Sequence, residues 1–171
     1  IIARGMAGGY TLSLPEEDHI MHSQRKFEAD LTGLMGGRTA EEIVFKDVTT
    51  GASNDLERAT QMARSMVTRW GMSTKLGPMV YGQKEELVFL GREISEQRDY
   101  SELVAQEIDS EVRRLISEAH DRAVSILTQY RDRLDAIAQR LIEGETLDSG
   151  EFEKMFPSPV ARHNGVPTPT P

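Results

Sequence analysis

The sequence TTGASNDLERATQMARSMVTRWG, residues 49–71, contains the clearest helical pattern in the chain. Its apolar residues recur at intervals of three and four, the spacing of one face of an α-helix; they are Leu56, Ala59, Ala63, Met66, Val67 and Trp70. Gly71 follows directly, where helices favour a residue with left-handed backbone. The pattern therefore predicts an amphipathic helix that ends at Gly71.

One carboxylate, Asp55, stands in the small polar turn at the mouth of this helix. Taken alone it has an ordinary explanation. An acidic residue in the first turn faces unpaired backbone N–H groups and the positive end of the helix dipole, and so stabilises the helix start. On the residues alone, Asp55 needs no further role.

Helical spacing continues on both sides of residues 49–71. Residues 23–45 have the pattern of two helices that meet at Gly36-Gly37, and residues 103–141 that of long amphipathic helices with charged outer faces. Asp148 and Glu151 have the offset of a capping box and predict a short last helix. Residues 72–100 show no sustained period and are predicted to be a loop with one short strand at 87–90.

The two ends of the chain differ from this helical centre. Residues 1–14 contain two short extended segments around Gly5, Gly8 and Gly9, which predict a small ribbon that needs support from other elements. Residues 157–171 are rich in proline, have little to bury and are predicted to be a disordered tail. The expected fold is mainly α, with a small glycine-rich β edge element at the N-terminus.

Composition excludes several kinds of function. The chain has 171 residues and a net charge of −8, which argues against a nucleic-acid partner because such surfaces need clustered Lys and Arg. It has no cysteine, so any metal must be held by histidine and carboxylate. No apolar run approaches the roughly 18 residues that cross a bilayer, so this piece is expected to be soluble.

The residues alone offer no complete active site. His19 and His22 are three apart but lack the H-E-x-x-H offset, and His120 and His163 have no evident partner. The acidic pair Glu41-Glu42 is typical of a solvated helix face in an acidic chain. Neither a G-x-S-x-G elbow nor a phosphate-binding glycine loop is present.

Five blocks in order and register resemble the C-terminal part of the protease domain of the FtsH family, the membrane-anchored ATP-dependent zinc metalloproteases. The blocks are IIARGMAGGYTLSLPEED, LMGGRTAEEIVF, TTGASNDLERATQMARSMVTRWGMSTKLGP, FLGR with IDSEVRRLI, and GETLD. Each block alone is weak evidence for the family, whereas five blocks in the same order and spacing are specific to it. The resemblance implies that residues 1–156 are the C-terminal portion of such a domain, with the H-E-x-x-H helix missing upstream.

The resemblance gives Asp55 a second interpretation, that of a zinc ligand. In the family, two histidines of the H-E-x-x-H helix and the aspartate of an S-N-D turn hold zinc, and Ser53-Asn54-Asp55 matches that turn. Three protein ligands leave one position for a water, which zinc activates as the nucleophile. Since the histidines and the general-base glutamate are expected upstream, the parent is expected to be a peptidase and this fragment alone inactive.

Two further sites follow from the resemblance. Glu41 is a candidate for the acid that binds and orients a ligand histidine, the alternative being an ordinary exposed acid. The substrate-cleft edge, to which an extended substrate adds as a strand, is expected at Gly5, Gly8, Gly9, Tyr10, Thr11 and Leu12. The alternative for these residues is an ordinary protected sheet edge.

The resemblance also implies partners. These are unfolded protein substrates, a homohexamer to which residues 101–143 contribute, and an upstream ATPase module that uses ATP and magnesium. Upstream membrane segments would anchor the parent in the bacterial cell membrane, with this domain facing the cytoplasm. The alternative is a non-catalytic helical oligomerisation or interaction module derived from the same scaffold, which a degenerate upstream H-E-x-x-H would favour.

Overall fold

A computed structural model of the chain describes residues 21–82 and 100–156. Five α-helices lie in these ranges: α1 (Gln24–Phe45), α2 (Ser53–Thr68), α3 (Glu102–Gln129), α4 (Arg131–Gly144) and α5 (Ser149–Lys154), with a 3₁₀ turn (Thr50–Ala52) directly before α2. The described residues contain no strand, and the mainly α prediction is confirmed. The predicted N-terminal β element, the strand at 87–90, the tail and the cleft-edge residues lie outside the described ranges.

Helix α1 corrects the prediction of two helices that meet at Gly36-Gly37. It is one helix of 22 residues, capped at its start by Ser23, whose hydroxyl accepts from the Lys26 N–H at 3.3 Å. Its buried residues Leu31 and Met35 belong to the same core cluster as buried residues of α2 and α3. Tertiary packing of this face outweighs the weak helix propensity of glycine, which costs about 1 kcal/mol per residue relative to alanine.

Helix α2 confirms the prediction from residues 49–71, but it ends at Thr68 rather than at Gly71. The chain turns earlier because the Thr68 carbonyl accepts from the Tyr81 N–H at 2.8 Å, so the helix end is bound by the returning loop. Trp70 leaves the helix and stacks on Phe27, with ring centroids 4.4 Å apart. Gly71 does adopt the predicted left-handed backbone, with φ of 58°.

The described residues form two compact units, and the core lies in the one made of residues 21–82 and 100–129. Helix α1 packs against both α2 and α3, which also pack against each other. Alanines make up much of the buried face of α2 and α3, and small side chains let helix backbones approach closely. The core members are Leu31, Met35, Ala59, Ala63, Met66, Val67, Leu76, Ile108, Val112, Leu115, Ala119 and Ala123.

The second unit contains α4 and α5 within residues 130–156. Helix α4 has no buried residue, and α5 begins at the predicted cap, where Asp148 Oδ1 accepts from the Glu151 N–H at 2.8 Å. The Glu151 carboxylate lies 3.3 Å from the Arg140 guanidinium, so it links α5 back to α4. Among the described helices, none is both long and apolar enough to span a bilayer.

Candidate metal site

Asp55 lies in the first turn of α2 with its carboxylate largely free. Its side chain is 44% exposed, and Oδ1 is 4.0 Å from Nη1 of Arg58, the length of a loose ion pair. Ala52 at the N-cap gives no side-chain hydrogen bond, so the acid in the first turn provides the local negative charge at this helix end. A half-exposed carboxylate whose partner among the described residues is a loose ion pair fits a metal ligand, since coordination displaces no strong bond.

The 3₁₀ turn before α2 fixes the backbone from which Asp55 projects. Thr49 caps this turn, because its Oγ1 accepts from the Gly51 N–H at 3.1 Å. The Ser53 N–H then donates to the Thr50 carbonyl, and the Ala52 side chain is buried. The turn is therefore held by its own hydrogen bonds and by one apolar anchor.

Glu41, which was predicted to orient a ligand histidine, faces this same turn from α1. Its Oε2 accepts from the Thr49 N–H at 2.9 Å, and its Oε1 accepts from the Thr49 hydroxyl at 2.8 Å. Both carboxylate oxygens are thus committed to one residue, eight positions along the chain. Within the described residues, the position of Glu41 is that of a brace between α1 and the start of α2.

No group of three or more acidic or histidine side chains in the described ranges is placed to hold a metal ion. His22 is exposed and turns its ring edge toward Phe27, with centroids 5.7 Å apart, while His19 lies outside the described residues. If Asp55 is a zinc ligand, as predicted from the sequence, its partner ligands would have to come from other parts of the protein.

A second polar cluster joins α1 to α3, and sequence reasoning missed it. His120 Nε2 lies 2.7 Å from Glu42 Oε2, and Arg38 Nε lies 3.1 Å from Glu42 Oε1. Glu42 is therefore shared by a cation and an imidazole, instead of being a solvated acid. His120 was expected to lack a partner because Glu42 is 78 positions away, beyond any local sequence signal.

A third cluster, also missed, ties the loop after α2 to α3. Glu111 is only 5% exposed; it accepts from the Ser73 hydroxyl at 2.7 Å and from two Arg114 nitrogens, each at 3.0 Å. The Arg114 hydrogen bonds hold the pKa of Glu111 below its usual value, more than burial raises it, and the same bonds raise the pKa of Arg114. Both oxygens of Glu111 accept hydrogen bonds, three in all, so this carboxylate anchors the loop at Ser73 to α3.

An open cavity of about 300 Å³ lies along the C-terminal half of α2. Its lining includes Arg64, Arg69, Tyr81 and Tyr100. Asp55 is not among the lining residues, which begin along α2 at Gln61.

Comparison with known protein families assigns the chain to a class of peptidases. Residues 1–155 match the family described as Peptidase family M41. The chain therefore belongs to peptidase family M41.

The relatives carry more specific names. The chain is 56% identical over 169 residues to ATP-dependent zinc metalloprotease FtsH 1 of Thermomicrobium roseum, covering 99% of this chain and 26% of that protein. It is 55% identical to FtsH 1 of Sphaerobacter thermophilus with the same coverage. It is 56% identical over 159 residues to FtsH of Chloroflexus aggregans, covering 91% of this chain and 24% of that protein. The chain thus spans about a quarter of the length of these relatives.

Proposed function

We propose that this chain is the C-terminal portion of the protease domain of an ATP-dependent zinc metalloendopeptidase that degrades membrane and cytosolic proteins. The observation that carries the proposal is Asp55, a half-exposed carboxylate on a braced turn, in a chain that matches family M41 almost from end to end. The names of the relatives support zinc as the metal and protein as the substrate.

Asp55 would supply the third protein ligand, beside two histidines of an H-E-x-x-H segment outside this chain. When bound, zinc supplies a water whose proton is lost near neutral pH. The part of Asp55 is to offer one carboxylate oxygen at a fixed place and to neutralise part of the metal charge. The 3₁₀ turn holds the backbone of Asp55 in place. The general-base glutamate is expected in the H-E-x-x-H segment, outside this chain, so the fragment alone would be inactive.

The remaining assignments are proposals about the parent protein. The domain is assigned to residues 1–156, with Gly5, Gly8, Gly9, Tyr10, Thr11 and Leu12 as the substrate-cleft edge. An upstream ATPase module would use ATP and magnesium, the assembly would be a homohexamer with one zinc per protomer, and upstream segments would anchor it in the membrane with this domain on the cytoplasmic side. The names of the relatives support the use of ATP and of zinc among these assignments.

The test is zinc content and peptidase activity of the full-length protein with Asp55→Ala. The native protein is expected to hold about one zinc per protomer, and the substitution to lower zinc and activity together, because two histidines alone bind zinc weakly. Glu57→Ala is the matched control, since it removes another exposed carboxylate from the same helix.

Two other outcomes have definite meanings. Equal zinc in the native and Asp55→Ala proteins would reduce Asp55 to a helix-start residue and make Glu41 the next candidate. A native protein that binds no zinc and cleaves no substrate would favour the non-catalytic interaction module.

A further inference from the structure

Three consecutive hydrogen bonds connect helix α1 to the turn that precedes Asp55. Glu41 accepts from both the N–H and the hydroxyl of Thr49, at 2.9 and 2.8 Å. The same hydroxyl accepts from the Gly51 N–H at 3.1 Å. Thr49 Oγ1 is thus donor to a carboxylate and acceptor from a backbone amide, which uses both capacities of a hydroxyl group.

This arrangement is more specific than a turn cap requires. Asparagine, aspartate or serine would cap the Gly51 N–H equally well, but a carboxylate side chain at position 49 could not donate to Glu41. The two bonds that reach Glu41 are charge-assisted and therefore stronger than neutral ones. They hold the turn to α1, the helix that packs on both α2 and α3.

Gly51 adds an independent observation about space. A Cβ at this position would lie 3.2 Å from Thr49 Oγ1 and 3.8 Å from Glu41 Oε1. A Cβ would therefore be tight against the Thr49 hydroxyl but only in ordinary contact with the Glu41 carboxylate. The hydroxyl would have to shift by a few tenths of an ångström to make room for a side chain at position 51.

We infer that Thr49 is a positioning residue for the metal site, because it transmits the rigidity of α1 through Glu41 to the turn that carries Asp55. The inference rests on the proposed function, in which Asp55 is a zinc ligand. A ligand held in advance loses little freedom when it binds, so its affinity for metal is higher. Residues that orient metal ligands in this way typically change metal affinity when they are replaced.

The experiment compares zinc affinity of the full-length native protein with that of Thr49→Val, which keeps the shape of the side chain and removes the hydroxyl. Affinity is measured by competition with a chromophoric chelator, so the readout does not depend on peptidase activity. Thr49→Val is expected to raise the zinc dissociation constant, by no more than the roughly 10- to 100-fold found for residues that bond a metal ligand directly, because Thr49 acts on the turn and not on Asp55 itself. Thr49→Ser, which restores the hydroxyl, is expected to return affinity close to the native value.

Thr60→Val is the matched control, since Thr60 is an exposed threonine of α2 whose hydroxyl bonds only to the Leu56 carbonyl. An equal loss of zinc affinity in Thr60→Val would overturn the inference, because the effect would then be a general weakening of α2. Native affinity in Thr49→Val would also overturn it, even where Asp55→Ala abolishes binding and so upholds the proposed function. Zinc retained by Asp55→Ala would instead remove the ligand assignment on which the inference rests.

Discussion

At the scale of single residues, Gly71 combines two constraints that only glycine meets together. Its φ of 58° is left-handed, a region that costs an ordinary residue about 1–2 kcal/mol. A Cβ at this position would also lie 2.9 Å from the Pro78 Cα, closer than atoms of packed chains approach. The loop after α2 therefore closes directly over a backbone that has no side chain.

Gly71→Ala is expected to lower the free energy of unfolding by more than about 1–2 kcal/mol, because backbone strain adds to a backbone clash. Urea unfolding of the 171-residue chain measures the change. Gly77→Ala is the matched control, since Gly77 has φ of 76° but open space around its Cβ position. An equal cost at both positions would show that Pro78 moves away without penalty.

Whether a residue's role could be predicted from the sequence depended on the distance to its partner. The left-handed backbone of Gly71 and the Asp148 cap were predictable, because helix-end chemistry involves neighbours in the chain. The contacts of Glu42 with His120 and of Ser73 with Glu111 join positions 78 and 38 apart. Only the packing of α3 against the rest of the core brings those side chains together. The local sequence around each residue therefore gives no sign of these contacts.

At the scale of secondary-structure elements, α1 shows that glycines in a sequence do not by themselves end a helix. The prediction of a break at Gly36-Gly37 rested on the interruption of apolar spacing at this glycine pair, whereas burial of Leu31, Met35 and Thr39 fixes the helix through that point. The Thr39 hydroxyl, at the buried face, donates to the Met35 carbonyl at 2.8 Å and so needs no partner outside the helix. Helices α2, α3 and α4 were predictable because their apolar periodicity is uninterrupted.

Gly33→Ala and Gly37→Ala are each expected to raise the free energy of unfolding by about 0.5–1 kcal/mol, because alanine restricts the unfolded chain and favours the helix. Both glycines are exposed, and a Cβ at either position meets nothing within 4 Å. Urea unfolding again gives the measurement. A loss of stability would mean that some other surface packs against this side of α1.

At the scale of the whole molecule, the Glu111–Arg114 pair makes stability depend on pH. The pKa of Glu111 is lowered in the folded state, chiefly by its hydrogen bonds to Arg114. A lowered pKa stabilises the fold above the ordinary value of 4.5, and this contribution is lost as pH falls through the folded-state pKa. Because Glu111 joins α3 to the loop at Ser73, protonation of Glu111 is expected to destabilise the whole unit made of residues 21–82 and 100–129.

Glu111→Gln is expected to lower the free energy of unfolding by about 1.5–3 kcal/mol at neutral pH, the usual value of hydrogen bonds to a charged group. The difference from the native chain is expected to shrink as pH falls below about 4.5, because the unfolded chain takes up its proton first, and to vanish below the lowered folded-state pKa, where the native carboxylate is protonated as well. Urea unfolding at several pH values tests both parts. Glu118→Gln is the control, since Glu118 also binds Arg114 but its side chain is 58% exposed; identical pH profiles for both variants would contradict this account.

The separation of α3 from its packing partners in the sequence has a consequence for folding kinetics. Residues 46–52 join α1 to α2, so these two helices can meet early as a local hairpin, whereas α3 begins only at Glu102 and must close a long loop first. Docking of α3 is then expected to be the late step, and stopped-flow measurements would find that Leu115→Ala speeds unfolding more than it slows folding. A newly made chain would accordingly hold an exposed α1–α2 surface until α3 is complete, which is the interval in which it is most exposed to aggregation.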